Sequence, residues 1–233
     1  MLSPGSLPLY LQISELLIRD IAAGRLADGE RLPPEREMAA QLGIAVGTLR
    51  RALADLTEKG LLERIQGSGN YVRQQPAPKS VYALFRLELA EGGGLPTAQV
   101  LSVDRVAKPG DLPAFGRSDA AWRIRRLRRL SGTPAAVEEI FLDAVHAAVL
   151  RAEDLSESLY LHYRNVLGLW IQRAEDRIDQ GPLPDWAPDA FAHPPGAMLP
   201  RITRISWAQD NSRAEVSRSW FDPLRVQYVA RLK

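Results

Sequence analysis

Residues 8–72 read PLYLQISELLIRDIAAGRLADGERLPPEREMAAQLGIAVGTLRRALADLTEKGLLERIQGSGNYV, and the order of signals along them decides the fold. Pro8 suits the opening of a helix, Leu9, Ile13, Leu16, Leu17 and Ile21 recur at helical spacing, and Gly24 stands where a helix stops. One face of that helix must be buried. A second helix is expected from Pro34, acceptable in a first turn, through Glu35, Arg36, Met38, Ala39 and Leu42, with Gly43 supplying the turn. Ala45 to Lys59 predicts a third, with Leu49, Leu53 and Leu56 facing inward and Gly60 closing it. Leu61 to Ile65 and Asn70 to Arg73 then flank Gln66-Gly67-Ser68-Gly69, a glycine-rich hairpin tip that can approach another chain closely.

Helix, turn, two short helices and a hairpin is the order of a winged helix-turn-helix, a module that lays its third helix in the DNA major groove. Thr48, Arg50 and Arg51 sit near the start of that helix, and no acidic residue falls between Ile44 and Ala54. Residues 1–75 nevertheless hold nine Lys or Arg against nine Asp or Glu. Affinity for DNA must then come from charge segregated onto one face and from doubling in a dimer. The plain alternative for Arg50 and Arg51 is a solvated helix surface, and for Arg36 an ion pair with Glu35 or Glu37.

At these residues the chain resembles the N-terminal domain of GntR-family bacterial transcription regulators. The matching pieces are Pro8-Leu9-Tyr10, Gly29-x-Arg31-Leu32-Pro33-x-Glu35-Arg36-Glu37, Thr48-Leu49-Arg50-Arg51-Ala52-Leu53, and Gly60-Leu61-Leu62 leading to Gln66-Gly67-x-Gly69. The resemblance implies that Arg36, Thr48, Arg50 and the wing glycines Gly67 and Gly69 touch DNA, with Arg51 beside them. The family pattern carries a hydroxyl residue, Arg and Thr where this chain has Ala45, Val46 and Gly47. That departure removes a helix cap of about 1 kcal/mol and an Arg able to make a bidentate contact to guanine.

Composition fits an ordinary globular protein with enough apolar residues for two cores: 233 residues, 45% hydrophobic and 25% charged. A net charge of +2 is too small to imply blanket binding to nucleic acid or membrane, and the pI of about 9.0 reflects abundant Arg. The absence of cysteine excludes disulfides, thiolate catalysis and Cys-based zinc sites. Nothing resembles a membrane-spanning run or a signal peptide, so a cytoplasmic location is expected.

Gln74-Gln75-Pro76-Ala77-Pro78-Lys79-Ser80 reads as an extended connector, which divides the chain into a DNA-binding domain at 1–73, a linker at 74–80 and a second domain at 81–233. In the second domain the pattern predicts a short helix near Phe85 to Glu91, then strands at Ala98 to Ala107, Trp122 to Leu130 and Ala135 to Leu142. Helices are expected around Ala147 to Glu153 and Leu159 to Val166, and further strands near Ile171 to Ile178, Arg201 to Gln209, Ala214 to Asp222 and Val226 to Leu232. Strands that do not alternate regularly with helices argue for an α+β domain with a mixed, mainly antiparallel sheet.

Within it, Trp122, Ile124, Arg126, Arg128 and Leu130 share one face of a strand. If that face is inner, two guanidinium groups sit among apolar neighbours and need anionic partners. Glu138, on the run after the turn Ser131-Gly132-Thr133-Pro134, is one such partner. Two Arg and one Glu leave one positive charge, which a bound anion or zwitterion would balance. The alternative is an internal ion-pair network of Arg126, Arg128 and Glu138 with Glu175 or Asp176 and no ligand.

The series Arg126-x-Arg128, Gly132-x-Pro134, Glu138, Ser158-Leu159-Tyr160 and Glu215 resembles UTRA, the effector-binding domain of the HutC subfamily of GntR regulators, over about residues 80–232. This resemblance implies that Arg126 and Arg128 bind the acidic part of a small effector. Glu138 and Glu215 would accept hydrogen bonds from it, and Ser158 and Tyr160 would line the same site. Members that bind phosphosugars carry a hydroxyl residue where this chain has Leu84, before Phe85, and an aromatic hydroxyl where it has Phe221. A smaller carboxylate or amino-acid-derived effector is therefore expected over a phosphosugar.

His146, His162 and His193 lack the spacing of a zinc site, so no metal or other cofactor is expected. The UTRA fold resembles that of chorismate lyase, which opens the alternative of a lyase-like enzyme, or a metabolite-binding protein with a degenerate DNA-binding domain. Fold likeness does not carry function, and no nucleophile elbow, phosphate-binding loop or nucleotide-binding glycine fingerprint is present. The expectation is a homodimeric repressor that binds operator DNA and is controlled by a small molecule.

Overall fold

The three N-terminal helices appear in the computed structural model, which describes residues 7–74 and 80–231, as α1 Leu9–Ala22, α2 Glu35–Gln41 and α3 Val46–Glu58. Ile13, Leu17, Ile18 and Ile21 of α1 meet Leu49, Ala52, Leu53 and Leu56 of α3 in one core with Met38, Ala39, Leu61, Leu62 and Val72. Each fully buried Leu or Ile there contributes about 1.5–3 kcal/mol. Leu9, expected on the buried stripe, lies at the first turn and is exposed. Ala45 occupies the N-cap of α3 in extended conformation, with no side-chain cap.

The wing is the hairpin β1 Leu62–Ile65 and β2 Gly69–Val72, paired from Leu62↔Val72 to Ile65↔Gly69. Residues 29–32 add an edge that sequence reading missed: Leu32 N–H donates to Asn70 O and Val72 N–H to Glu30 O, both at 2.9 Å.

By its contacts the chain divides into two units, one of Leu7–Phe85 and Gly92–Leu95, the other of Arg86–Glu91 and Pro96–Val229. Most of the expected linker, residues 75–79, lies outside the described residues. The described residues that follow it, up to Phe85, group with the first unit, and the second unit takes up the chain at Arg86. The reason is local: Ser80 Oγ donates to Glu15 Oε2 at 2.6 Å, Tyr82 is buried, and the Arg19 guanidinium lies 5.2 Å from the Phe85 ring centre.

The helix expected near Phe85 to Glu91 is instead a strand, β3 Leu87–Leu89, because its backbone pairs antiparallel with β10 Val226–Tyr228. The remaining strands are β4 Pro96–Ala107, β5 Ala120–Leu130, β6 Thr133–Asp143, β7 Ile171–Pro182, β8 Met198–Ala208 and β9 Arg213–Phe221. They form one antiparallel sheet in the order β4-β5-β6-β9-β8-β7. The helix expected at Ala147 to Glu153 reduces to single 3₁₀ turns at Ala144–His146 and Ala152–Asp154. Leu159 to Val166 is helical as expected: α4 Leu159–His162 widens into a π-helical turn, Tyr163–Leu167. No helix among the described residues is long and apolar enough to cross a membrane.

Register assigns the two faces of the sheet. Leu127, Val137 and Trp220 pair across β5, β6 and β9 and pack on Leu183, Phe191 and Leu199, while Phe141, Val216 and Ile205 extend the same apolar side. The opposite face brings Arg126 against Glu138, and Glu215 against Ser206. A buried sheet face carrying this much charge needs an explanation beyond packing.

Candidate functional site

Two sets of residues were singled out by sequence, and the structure gathers each in its own unit. In the first, the start of α2, the start of α3 and the wing enclose a cleft of about 770 Å³ whose lining includes Arg31, Arg36, Arg50, Arg64, Gln66 and Gly67. Arg31 and Arg64 were missed because neither lies on the third helix; their signal was proximity to the wing. Arg50 Nε is 2.6 Å from Glu35 Oε2, and Arg64 Nη2 is 4.0 Å from Glu35 Oε1. Glu35 thus holds Arg50 toward the cleft, while Glu37 accepts from Gln41 Nε2 at 3.2 Å, so neither pairing expected as an alternative for Arg36 is the one observed. Arg51 lies over the Tyr10 ring at 4.4 Å, an intramolecular stacking position. Thr48 is half-buried in the first turn of α3.

At the wing tip Gly69 has φ +135°, and a Cβ there would come within 3.2 Å of Arg31 Nε. Any larger residue would strain the backbone and push that guanidinium away. Gly67 is exposed at the turn.

In the second unit, alternation on β5 places Arg126 and Arg128 on one face, 3% and 4% exposed. Both converge on Glu138: Arg126 Nη2 lies 2.7 Å and Arg128 Nη2 3.2 Å from the same Oε2. Each also donates from Nη1 to the Glu157 carbonyl, at 3.3 and 3.2 Å. Arg126 Nε is buried and finds no hydrogen-bond partner among the described residues. Burial alone would raise the Glu138 carboxyl, but the charges of Arg126 and Arg128 outweigh it and hold its pKa below the ordinary value of 4.5. Burial depresses the pKa of Arg126, opposed first by Glu138.

Beside this group Glu215 accepts from the Tyr163 hydroxyl at 2.8 Å, the Tyr160 hydroxyl at 3.2 Å and Ser206 Oγ at 3.2 Å. Burial raises the pKa of Glu215, against the pull of those hydroxyls and of Arg126. Ser158 spends its hydroxyl as the cap of α4, accepting from Leu161 N–H at 3.4 Å, next to the Glu157 carbonyl that both arginines share. Phe221 is buried at the register position of Ala136 and Arg128, leaving no hydroxyl at that point of the face.

The structure therefore brings Arg126, Arg128 and Glu138 together as one group and Tyr160 and Glu215 as an adjoining one. Sequence reading missed Tyr163 and Ser206, although Tyr163 stands one helical turn beyond Tyr160 and Ser206 alternates inward on β8. Of the network alternatives, Glu175 pairs with Arg177 on the exposed side, and Asp176 pairs with Arg204. The histidines are scattered: His146 in a 3₁₀ turn, His162 in α4, and His193 3.2 Å from Asp222.

Comparison with known proteins assigns the two units separately. Residues 9–72 match the bacterial regulatory proteins of the gntR family, and residues 91–227 match the UTRA domain. The chain is 62% identical over 229 residues to the HTH-type transcriptional regulator SmoD of Agrobacterium fabrum, covering 98% of both. It is 29% identical over 179 residues to the mannosyl-D-glycerate transport/metabolism system repressor MngR of Escherichia coli, covering 75% of both. Among solved structures, the possible transcriptional regulator YydK of Bacillus subtilis shares the fold, at 19% identity and a TM-score of 0.54 over 97% of this chain and 100% of that one. A winged unit, an arginine-bearing antiparallel sheet and these matches agree: the chain belongs to the GntR family of bacterial transcriptional regulators, with a UTRA effector domain, and is a regulator, not an enzyme.

Proposed function

We propose that the chain is a homodimeric, cytoplasmic repressor. In this reading Arg36, Thr48, Arg50, Gly67 and Gly69 contact operator DNA, and a small anionic or zwitterionic metabolite bound at Arg126 and Arg128 releases it. The observation that carries this is the convergence of two fully buried guanidinium groups on one carboxylate, with Arg126 Nε left unpartnered. Arg126 keeps one buried N–H donor unmet among the described residues, and a buried donor costs free energy until an acceptor joins it. A carboxylate on the ligand would take the Nε position and share the arginines with Glu138, whose remaining capacity would hold a cationic or hydroxyl group.

Two relatives support a carboxylate by their names. The MngR repressor is named for mannosyl-D-glycerate, and a Pseudomonas aeruginosa protein 36% identical over 108 residues is named a histidine utilization repressor. Both compounds carry a carboxylate. Phe221 on the polar face disfavours a ligand that needs a phenolic donor there. In this reading Glu215, which accepts from the Tyr160, Tyr163 and Ser206 hydroxyls, fixes the two tyrosine rings beside the ligand.

A two-fold protein engages two half-sites only when their spacing matches its own, so a ligand acts by favouring an arrangement in which they do not match. A thermal-shift screen with small carboxylates, amino acids and sugar phosphates tests the site: a ligand at 100 times its dissociation constant adds about 2.7 kcal/mol. A carboxylate that stabilises the wild type and not Arg126→Ala is expected. Stabilisation by sugar phosphates alone would reject the ligand class.

A further inference from the structure

The last strand of the large sheet, β7, leaves its outer edge open. It ends the order β4-β5-β6-β9-β8-β7, and the backbone groups that face away from β8 meet no other strand among the described residues. Gln172, Arg173, Arg177, Ile178, Asp179 and Gln180 are exposed along it. An open edge is a template for another strand, and proteins ordinarily blunt it with charge. The charges on β7 stand in an order that has the opposite effect in one register.

Side chains alternate, so Arg173, Glu175, Arg177 and Asp179 share one face with signs plus, minus, plus and minus. Pairing with β8 is regular from Arg173 to Pro182, beyond an irregularity at Ile171. A second copy that meets this edge antiparallel is related to the first by a two-fold axis normal to the sheet, which keeps each face on its own side. Odd-numbered residues then face odd-numbered ones. With the axis at Asp176, Arg173 faces Asp179 of the second copy and Glu175 faces its Arg177, and symmetry repeats both contacts. Every charge on the face meets its opposite. An axis at Glu175 or Arg177 sets like charges together, and one at Ala174 or Ile178 matches only a single kind of pair, Arg173 with Glu175 or Arg177 with Asp179.

Within one copy these charges are matched less well. Arg177 pairs with its strand neighbour Glu175 at 2.9 Å, Asp179 pairs with Arg201 of β8 at 2.6 Å, and Arg173 lies over the Trp207 ring at 3.8 Å. Such exposed pairs contribute little in water. The opposite face suits the same axis. Ile178 is 52% exposed although its β8 partner Ile202 is buried, and it falls opposite Ala174 of the second copy. Asp176 meets its own counterpart on the axis, but its charge is already spent: Arg204, directly across on β8, takes both oxygens at 2.6 and 2.7 Å, and the Tyr228 hydroxyl donates to Oδ2 at 2.7 Å.

We propose that β7 is the edge through which two copies of this chain join, antiparallel about Asp176, so that their two sheets continue as one. This rests on the homodimer reading and names its interface. Backbone hydrogen bonds between the two edges supply affinity, and the order of charges fixes the register.

Analytical ultracentrifugation of the full chain tests the interface by charge reversal. The wild type is expected to sediment as a dimer. Glu175→Arg sets two like-charged contacts across the axis, and so does Arg177→Glu. Each is expected to raise the dissociation constant of the dimer about ten-fold. Mixed in equal amounts, the two variants are expected to recover most of the lost affinity, because the new arginine of one copy faces the new glutamate of the other. Mixing leaves the repulsion within each copy as it was, so a purely structural effect of either substitution is not relieved by it. A wild type that is monomeric at every concentration reached would reject the homodimer itself. A dimer that survives both reversals, or that mixing fails to restore, would overturn β7 as the joining edge while leaving the homodimer standing.

Discussion

Replacing Glu138 by Gln keeps the shape of the side chain and removes the one charge on which Arg126 and Arg128 converge. At the observed 2.7 and 3.2 Å, and an effective dielectric constant of about 20, the two attractions amount to about 6 and about 5 kcal/mol gross. The desolvation already paid by three buried ions offsets most of that, and removing one partner of such a group costs about 3–5 kcal/mol net. For a domain of this size the melting temperature should fall by roughly 6–20 °C. Calorimetry at neutral pH reads it directly. Sulfate should restore more stability to Glu138→Gln than it adds to the wild type, because a dianion bound beside the two guanidinium groups replaces the charge that the amide lacks. A variant that melts with the wild type, or gains no more from sulfate, would refute the claim that these arginines form an anion-demanding site.

Other perturbations have equally definite expectations. The folded-state pKa of Glu138 lies below 4.5, so its stabilising contribution is present above that pH and is lost as pH falls through the lowered value. Acid unfolding should therefore be less steep in Glu138→Gln below pH 4.5. Ala45→Ser places a hydroxyl at an N-cap whose backbone is already extended, and should stabilise the first unit by about 1 kcal/mol in denaturant titrations. Arg50→Ala should weaken duplex binding and reduce the slope of log affinity against log salt by about 1 if the arginine meets a phosphate. Gly116→Ala would drive a Cβ into the Asp143 carboxylate at a φ of +60°. Asp143 is buried and accepts from Ser118 N–H at 3.2 Å, so the clash should cost on the order of 3 kcal/mol in denaturant titrations.

What could be read without coordinates was what depends on local periodicity. The α1 and α3 stripes, the wing glycines and the alternation that puts Arg126, Arg128 and Glu138 on one face all follow from 3.6- and 2-residue repeats. Pairings between distant strands could not be read. Leu87–Leu89 has no strand signal strong enough alone and becomes β3 only because Val226–Tyr228 arrives beside it. Residues 144–154 carry the apolar residues of a helix yet run mostly as turns and extended chain, with Ala147 and Leu150 buried individually. Glu35 holding Arg50, fifteen residues on, and Arg204 gripping Asp176 across two strands are likewise products of tertiary placement. The Ser80–Glu15 bond joins residues 65 apart.

The central claim is a division of labour: Arg50 and its neighbours read DNA, and Arg126 with Arg128 decide when it is released. The most direct measurement is fluorescence anisotropy of the full chain on a duplex it has selected from a random pool, titrated with the carboxylates found in the thermal-shift screen. The account predicts that a carboxylate releases the duplex from the wild type, that Arg126→Ala binds the duplex equally well but is no longer released, and that Arg50→Ala binds the carboxylate normally while losing the duplex. Release of Arg126→Ala at wild-type ligand concentrations, or equal loss of both functions in either variant, would contradict it.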